Sequence, residues 1–495
     1  MAKLQLRKIL STALLVAFIP ASSIFAAEPA TNLDPTPMLT LTNEQAEADG
    51  VIHREYTGIT VDGKPLTLDV LEVDLAVPGV SLFPVIPKNG VTSRSRLSNL
   101  AADSGGVAAV NGGFFVTGND TSFPIGHAVV EGVPRVKWDV WRPSVSLGIQ
   151  GLKFGFFQPV LEVIFAGGKV LPVDKLNSTP KSMETALFTS DWGNKPLPGG
   201  ERLWVELEGK INGDAAIINV SRQASTLSAD TILLALPPSG FEAWAVPGEK
   251  ISISYAYPSW PDEVEHLLTG GPLLVEDGRP VFQARAEGFD GSILDRNPRT
   301  AVAMHQNGKV LFVTVDGRKP ELSVGVTFEE FSLLLAALGA REAIGLDGGG
   351  STEMWINGRI ANNLSEGTER LLPNALVVQS GIPVWLNERR LYFDVQPRVV
   401  NGRTLVPLRG IFEAMGALVT WEEQSRTVTI NLQDKLFKLP LDSREVMINE
   451  KEYLLDVPSQ MVNYRTMVPL RFIMESLGAQ VEWVESKGWV KIYAE

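Results

Sequence analysis

The chain has 495 residues, with 57 acidic and 44 basic side chains, no cysteine, and a formal net charge of −13. A sequence without cysteine excludes disulfides, thiol catalysis and cysteine-ligated metal centres. The negative net charge disfavours nonspecific nucleic-acid binding. The length is sufficient for two or three hydrophobic cores.

Residues 1–27 have the pattern of a secretory signal peptide. Three basic residues precede an apolar stretch from Ile9 to Pro20, and Ala26 supplies the small residue expected at a cleavage site. The stretch is too short to span a bilayer. We expect a secreted bacterial protein with no membrane span after cleavage, and an uncleaved N-terminal anchor is the alternative. Residues 28–50, rich in Pro, Thr, Ala and acids, are predicted to be a linker.

The first glycine-rich cluster is Asn111–Phe115. It follows the apolar run Val107–Val110, which is typical of a buried strand. Consecutive glycines at a strand end lose much backbone entropy on folding, so they fit best where the chain turns sharply or where a ligand approaches the main chain. The cluster predicts a polar pocket, and a tight turn without a ligand is the alternative.

A second cluster is predicted to complete this pocket. The run Val310–Val315 is typical of a strand and leads into Asp316. A capping-box pattern at Thr327 then predicts a helix, and the run Ala343–Leu346 leads into Asp347 and three glycines. If both strands lie in one sheet, the helical crossover makes them parallel. Both aspartates then emerge at the carboxyl edge of that sheet, where open sheets bind ligands.

These residues resemble the phosphodiester glycosidase family, which includes the lysosomal uncovering enzyme for mannose-phosphate tags. The matching blocks follow one another in order over about residues 50–380. They are Asn111–Phe115, Pro124–Gly126, Ala186–Thr189 with Trp192-Gly193, Gly270–Pro272, Pro298–Val302, Asp316–Arg318 and Gly345–Met354. The chain departs from the family at Glu353, where members often carry a small hydroxyl residue, and this departure bears on the acid-base arrangement.

The resemblance implies hydrolysis of a sugar–phosphate diester on the sugar side, which releases a free sugar and leaves a phosphomonoester. Such chemistry needs carboxyl groups at the sugar centre and neutralisation of charge at the phosphate. The candidate catalytic residues are Asp316, Asp347 and Glu353. The candidate binding residues are Asn111, Gly112, Gly113, Phe114, Gly126, Arg299, Thr300, Arg318, Gly348, Gly349 and Ser351. The arginines would hold phosphate, and the amides of the glycines would form a nest for it.

Several of these residues have a structural alternative. Arg318 could pair only with a neighbouring acid, Arg299 could shield a strand edge, and Asp347 could cap a turn. Phe114 could belong to the core instead of stacking on a sugar. No cofactor is certain and the metal is unknown, although carboxylates such as Asp316 would suit calcium or magnesium.

The C-terminal region contains an internal repeat, because Asn401–Trp421 aligns with Asn463–Trp483 without a gap. Each copy predicts an extended segment, a short helix that begins at proline and ends at glycine, and a strand that pairs with the next strand. Residues 382–495 resemble the stalk-like N-terminal domain of copper amine oxidases, with copies at 382–432 and 433–495. No histidine occurs beyond Ile382, so copper is not expected.

The expected fold class is α+β or α/β. A mixed-sheet phosphodiester glycosidase-like domain at residues 51–381 would precede a small α+β stalk domain at 382–495. The expected function is a secreted hydrolase of sugar–phosphate diesters in cell-wall glycans or exopolysaccharide. The alternative is a noncatalytic glycan-binding or structural protein of the cell surface. A phosphodiester-linked glycan is the expected partner, with attachment of the stalk domain to cell-wall polymer and no nucleic acid.

Overall fold

The computed structural model describes residues 37–116, 123–148, 151–228, 231–258, 264–387, 389–391, 393, 395–462, 465–484 and 488–494. These residues belong to one compact unit. The predicted signal peptide lies outside the described residues. Within them, no helix is long and apolar enough to cross a membrane.

Sheet A has eight strands, and all its neighbouring pairs are antiparallel. In spatial order they are Met38–Ala48, Val51–Ile59, Pro65–Val73, Val310–Val315, Arg299–His305, Ala340–Gly345, Leu273–Glu276 and Arg279–Pro280. The two strands that lead to Asp316 and Asp347 both pair with Arg299–His305, which lies between them. They therefore run in the same direction, as predicted, without being neighbours.

Sheet B packs against one face of sheet A. Its strands, in spatial order, are Arg359–Ile360, Met354–Ile356, Ala108–Asn111, Ala375–Ser380 and Val80–Val85. Helix α1 (Leu97–Asp103) covers the outer face of sheet B, and helix α2 (Phe328–Ala337) covers the outer face of sheet A. The order of layers is therefore helix, sheet, sheet, helix.

Burial on both faces explains why the central strands are continuous apolar runs. In Val310–Val315, alternate side chains point to opposite faces. Phe312 belongs to the core between the two sheets, whereas Val313 belongs to the core beneath α2. The helix begins at Thr327, whose hydroxyl accepts a hydrogen bond from the backbone N–H of Glu330, so the predicted capping box is confirmed.

Sheet C has thirteen strands and contributes to the core beside sheets A and B. In spatial order they are Val170–Pro172, Val160–Ile164, Lys250–Ala256, Gly213–Ser221, Leu203–Gly209, Thr231–Leu236, Ala186–Phe188, Lys175–Leu176, Val133–Trp138, His127–Val130, Val264–Thr269, Ser144–Gly148 and Gly151–Gly155. Its one parallel pair among the described strands joins Lys175–Leu176 to Ala186–Phe188. Short 3₁₀ helices occur at Ala166–Gly168, Ser190–Trp192, Gly291–Leu294 and Gly349–Ser351.

The C-terminal region forms three small sheets around its own core. Sheet D contains Arg389–Leu391, Val384–Leu386, Trp489–Tyr493 and Gln480–Val484. Sheet E contains Arg398–Val400, Arg403–Pro407, Arg465–Pro469 and Gln460–Val462. Sheet F contains Leu418–Glu422, Thr427–Leu432, Lys435–Pro440, Glu445–Ile448 and Lys451–Leu454. Helices α3 (Leu408–Ala414) and α4 (Leu470–Ser476) each follow a proline and precede a glycine with positive φ.

Two sequence-based expectations need correction. The linker predicted at residues 28–50 contains the strand Met38–Ala48, which pairs along its length with Val51–Ile59. Its side chains are mostly exposed, so the segment lacks the apolar alternation by which a strand is recognised. The fold is also mostly β-sheet with few helices. The expected combination of helices and sheets is present, but the sheets are not evenly mixed. Antiparallel pairing dominates sheets A, B and C.

Candidate active site

The buried side chain of Asn111 joins the two glycine-rich clusters. Its Nδ2 donates to the backbone carbonyl of Asp347 at 2.7 Å. Its Oδ1 accepts from Thr300 Oγ1 at 2.7 Å and from the backbone N–H of Glu353 at 3.2 Å. Asn111 is fully buried and uses its polar atoms on the protein. The predicted convergence is therefore present, but Asn111 positions the site and does not reach a substrate.

Asp347 is the carboxyl group most open to chemistry at this site. It is partly buried at the end of Ala340–Gly345, and its Oδ1 accepts from the backbone N–H of Gly348 at 3.0 Å. Burial raises its pKa to about 6, although hydrogen bonds from Ser351 and Gly348 and the charges of Arg370 and Arg142 oppose the shift. A carboxyl with this pKa exchanges its proton near neutral pH, which suits acid-base or nucleophilic work.

Arg142 brings a positive charge to Asp347 from a distant loop. Its guanidinium lies 4.2 Å from the ring centre of Phe289 and 5.0 Å from that of Phe114. Burial lowers its pKa, and the negative charges of Glu287 and Asp347 oppose that shift. Such an arginine, held against aromatic faces beside two carboxyl groups, is suited to bind a phosphate.

Glu287 is the second carboxyl group beside Arg142. Its Oε1 accepts from the backbone N–H of Leu273 at 2.9 Å and from Gln283 Nε2 at 3.0 Å. Its Oε2 is buried without a hydrogen-bond partner, and a Cβ added at Gly271 would lie 3.1 Å from it. Burial raises the pKa of Glu287 to about 6. Two carboxyl groups with raised pKa values therefore share one arginine.

Glu353 lies beneath the site, with none of its surface exposed. Its Oε1 accepts from the backbone N–H of Arg370 at 2.5 Å, and its Oε2 has no hydrogen-bond partner. Burial raises its pKa to about 8, so the group is mostly protonated at neutral pH. A fully buried side chain does not reach a substrate. In this structure the predicted catalytic residue Glu353 supports the loop that carries Arg370.

Asp316 is 1% exposed, and both of its oxygens are bound by the protein. One oxygen accepts from the backbone N–H of Asn363 at 2.9 Å and from Asn362 Nδ2 at 3.4 Å. The other accepts from Thr67 Oγ1 at 2.7 Å and from Asn363 Nδ2 at 2.9 Å. These contacts occupy the acceptor positions of a carboxylate. Asp316, predicted to be catalytic, therefore anchors the loop at residues 362–363.

The protein uses three of the five N–H donors of the Arg299 guanidinium. Its Nε donates to the carbonyl of Val326 at 3.1 Å, and its Nη2 donates to the carbonyls of Ile293 and Asp295 at 2.7 and 2.8 Å. The guanidinium also stacks 3.8 Å from the ring centre of Phe328. Arg299 is 3% exposed, and its Nη1 lies beside the second glycine cluster, 3.9 Å from a Cβ added at Gly348, so its phosphate-binding role stays a prediction.

Arg318, by contrast, is exposed at the rim of the site. Its φ of 61° is rare for a residue other than glycine and directs the side chain over the second glycine cluster. A Cβ added at Gly349 would lie 2.8 Å from its Nη2. Its Nε and Nη2 donate to Asn297 Oδ1 at 3.2 and 2.9 Å. Arg318 is therefore oriented over the loop, and its phosphate-binding role stays a prediction.

The predicted nest of glycine amides is wrong. Gly112 donates to the carbonyl of Asn374, and Gly113 donates to Asn374 Oδ1. Gly348 donates to the carboxylate of Asp347, and Gly349 donates to the carbonyl of Pro298. The glycines are needed for close approach: a Cβ at Gly112 would lie 1.8 Å from Asn374 Oδ1. Their role is to let the two clusters pack together.

The remaining predicted binding residues also serve the packing of the site. Thr300 and Ser351 are buried, and Ser351 forms a hydrogen bond to the Asp347 carboxyl. Gly126 has a φ of 95°, and a Cβ there would lie 2.4 Å from the side chain of Thr269. Phe114 is 9% exposed and supports Arg142.

Sequence reasoning missed Arg142, Glu287 and Arg370. Arg142 stands in a short segment with Trp138 and Trp141, a concentration of aromatic residues around one arginine that could have drawn attention. No comparable local pattern marks the other two. Across the part of the chain that the structure describes, no group of three or more His, Asp or Glu side chains is placed to hold a metal ion.

Comparison with known proteins agrees with the order of the two regions. Residues 215–379 match the family model described as phosphodiester glycosidase, NAGPA. These residues are similar to the phosphodiester glycosidase family. Residues 385–492 match the model described as copper amine oxidase N-terminal domain. The residues that match the phosphodiester glycosidase model include Asp347, Glu287 and Arg370, whereas Asn111 and Arg142 lie outside the match.

Individual relatives of the chain are distant. Over 108 residues it is 32% identical to the SPbeta prophage-derived uncharacterized protein YomE of Bacillus subtilis, a match that covers 22% of this chain and 16% of that protein. A hypothetical protein from Synechocystis has a TM-score of 0.58 at 21% identity, covering 67% of this chain and 62% of its own.

A putative exported protein from Burkholderia pseudomallei also has a TM-score of 0.58, at 20% identity, with 71% of this chain and 99% of its own covered. At these identities the two solved structures show a shared fold alone.

Proposed function

We propose that the protein is a hydrolase that cleaves the glycosidic bond of sugar–phosphate diesters. The observation that carries the proposal is that the partly buried Asp347, with a pKa raised to about 6, shares the charge of Arg142 with the buried Glu287. Glycoside cleavage needs carboxyl groups at the sugar centre. A phosphate leaving group needs a positive charge more than it needs a proton donor.

In the proposed reaction, Arg142 binds the phosphate and the ionised Asp347 faces the anomeric carbon. Positive charge develops at that carbon as its bond to the phosphate oxygen breaks, and the carboxylate stabilises it. The bonding electrons leave with the phosphate as a monoester, and their charge is neutralised by Arg142. Water supplies the new oxygen of the sugar, and its proton passes to a carboxylate of the site.

The packing around Asp347 supports this assignment. Its main chain is fixed at both polar atoms, because its N–H donates to the carbonyl of Gly112 at 3.0 Å and its C=O accepts from Asn111. The carboxyl group is therefore preorganised before substrate binds, and preorganised charge gives the larger part of electrostatic catalysis.

The experiment is a turnover screen with both anomers of sugar-1-phosphate diesters. We expect release of free sugar together with a phosphomonoester from at least one of them. If diesters bind to the purified protein but no sugar is released, the protein is a noncatalytic glycan-binding protein. If a sugar phosphate and a free alcohol appear instead, the protein cleaves the phosphate ester bond to the alcohol and not the glycosidic bond, which contradicts the proposal.

A further inference from the structure

Trp141 is a large apolar side chain on the surface beside the candidate active site. It is 63% exposed. It immediately precedes Arg142 in the sequence, so the Cα atoms of the two residues are about 3.8 Å apart. A single exposed apolar residue needs no explanation by itself. The contacts of this indole, however, give it a definite position.

The indole of Trp141 stacks on the ring of Phe156. The ring centroids are 4.9 Å apart, and the ring planes are inclined by 15°. Phe156 is partly buried and packs against the core that sheets A, B and C share. The fold therefore supports one face of the indole, and the high exposure of Trp141 places the opposite face in solvent. A flat, supported aromatic face is suited to pack against the apolar face of a pyranose.

The indole N–H of Trp141 is available to a ligand. Among the described residues, none accepts a hydrogen bond from it. By contrast, the indole N–H of the buried Trp192 donates to the carbonyl of Lys195 at 3.0 Å. An open apolar face with a free donor at its edge matches a pyranose, whose hydroxyl groups surround its apolar faces.

Hydrogen bonds fix the main chain on both sides of Trp141. The carbonyl of Val140 accepts from Gln158 Nε2 at 3.2 Å. The carbonyl of Pro143 accepts from the N–H of Gly270 at 2.9 Å. The segment is therefore held in place before a ligand binds, and this lowers the entropic cost of binding.

Arg142 connects this surface with the chemistry at Asp347. Its guanidinium lies against the rings of Phe114 and Phe289, and its charge acts on the Asp347 carboxyl. In the proposed reaction the guanidinium holds the phosphate, and the sugar that is cleaved lies on the side of Asp347. The leaving group then extends from the phosphate towards the surface, where Trp141 lies.

We propose that Trp141 binds the leaving group and that this group is a second sugar, so the substrate is a phosphodiester between two sugars. The assignment rests on the proposed hydrolysis. A nucleobase also stacks on an indole. However, Asp347 and Glu287 lie beside Arg142, and their negative charge disfavours a leaving group with a second phosphate, such as a nucleoside diphosphate.

The first test measures binding and does not require turnover. The probes are the 6-phosphates of glucose and galactose, glycerol 3-phosphate, which has hydroxyl groups but no ring, and uridine 5′-monophosphate, which carries a nucleobase. In calorimetric titrations of the purified protein, we expect at least one hexose phosphate to bind about tenfold more tightly than glycerol 3-phosphate. Trp141→Ala should remove this difference and keep the affinity for glycerol 3-phosphate.

Two results would overturn the assignment to a sugar. One is equal affinity of the wild type for glycerol 3-phosphate and both hexose phosphates, or a difference that persists in folded Trp141→Ala. The other is tighter binding of uridine 5′-monophosphate than of either hexose phosphate. Folding is checked by the thermal midpoint.

The second test compares the turnover of two diesters that share the cleaved sugar and differ in the leaving group. One releases the better-bound hexose 6-phosphate, and the other releases glycerol 3-phosphate. For the wild type, kcat/KM should be about tenfold higher with the hexose leaving group. Trp141→Ala should lose this preference and Trp141→Phe should keep most of it. Trp483→Ala, which removes an exposed indole from the C-terminal region, is the matched control and should keep it fully.

The two tests distinguish a failure of this assignment from a failure of the proposed hydrolysis. Turnover of both diesters without a preference for the hexose would refute the role of Trp141 and leave the hydrolysis intact. Trp141-dependent binding of a hexose phosphate, with no turnover of either diester, would refute the hydrolysis and leave Trp141 as part of a sugar-binding site.

Discussion

Asn111 Nδ2 donates a 2.7 Å hydrogen bond to the backbone carbonyl of Asp347, and this contact joins sheet B to the end of a strand in sheet A. The Oδ1 atom of the same amide accepts from Thr300 and from Glu353. One buried side chain thus fixes three segments around the carboxyl group on which the proposed chemistry depends. The glycines beside both residues permit this close packing.

Asn111→Ala should destabilise the fold and disturb the site together. The substitution leaves the hydroxyl of Thr300, the amide of Glu353 and the carbonyl of Asp347 without their buried partner. Because each unsatisfied group carries its own desolvation cost, we expect a loss of about 2–4 kcal/mol in the free energy of unfolding. Chemical denaturation measures it, with the exposed Asn431→Ala as control. A loss no larger than that of the control would contradict the central role of Asn111.

Asp347→Asn should lower kcat/KM by roughly a hundredfold or more while the protein remains folded. The amide oxygen can still accept from the N–H of Gly348, so the local structure is kept. The exposed Asp214→Asn is the matched control and should leave activity unchanged. Circular dichroism and the thermal midpoint check the fold. Full activity in the folded Asp347→Asn variant would show that the Asp347 carboxylate does not take part in the reaction.

Arg142→Gln should raise KM for diesters and shift their pH dependence. The proposed role of Asp347 requires its ionised form, so kcat/KM should rise as the pH increases through about 6. The charge of Arg142 lowers the pKa of Asp347 and Glu287, and its removal should move that rise to higher pH.

Two other arginines serve as comparisons for this prediction. Arg94 is exposed, and Arg94→Gln should change neither the KM for diesters nor the pH dependence of kcat/KM. Arg299→Ala should reduce stability instead, because its guanidinium bonds three backbone carbonyls. The Arg142 prediction fails if the pH profile of Arg142→Gln coincides with that of the wild type.

Glu353→Gln should become more stable relative to the wild type as the pH rises. Burial raises the pKa of Glu353 from 4.5 to about 8, so the folded state holds this proton more tightly than the unfolded state. The associated stability is complete below pH 4.5 and is lost as the pH increases towards 8. Glutamine does not ionise and escapes this loss. The measurement is the difference in unfolding free energy across that range, and a pH-independent difference would show that Glu353 ionises normally.

The sequence allowed the local features of the site to be predicted. Thr327 and Glu330 predict the start of the helix that connects the strands leading to Asp316 and Asp347. This prediction is possible because a capping box involves only residues that are close in the sequence. The common direction of the strands that lead to Asp316 and Asp347 followed from the helix that connects them. Both signals are local or topological, and the structure contains both features.

The hydrogen-bond partners of the polar groups in the site could not be predicted from such local patterns. The amides of Gly112 and Gly113 are used by Asn374, which is far away in the sequence and carries no pattern that marks it. Arg142 and Glu287 likewise reach the site from separate loops. Whether a polar group faces a ligand or the protein depends on tertiary contacts, and periodicity does not report these.

The most direct test of the central claim is hydrolysis in water enriched in oxygen-18. Attack of water at the anomeric carbon places the heavy oxygen in the released sugar, whereas attack at phosphorus places it in the phosphate. Mass spectrometry of both products distinguishes the two. We predict one heavy oxygen in the sugar and none in the phosphomonoester, and a label found in the phosphate would contradict cleavage of the glycosidic bond.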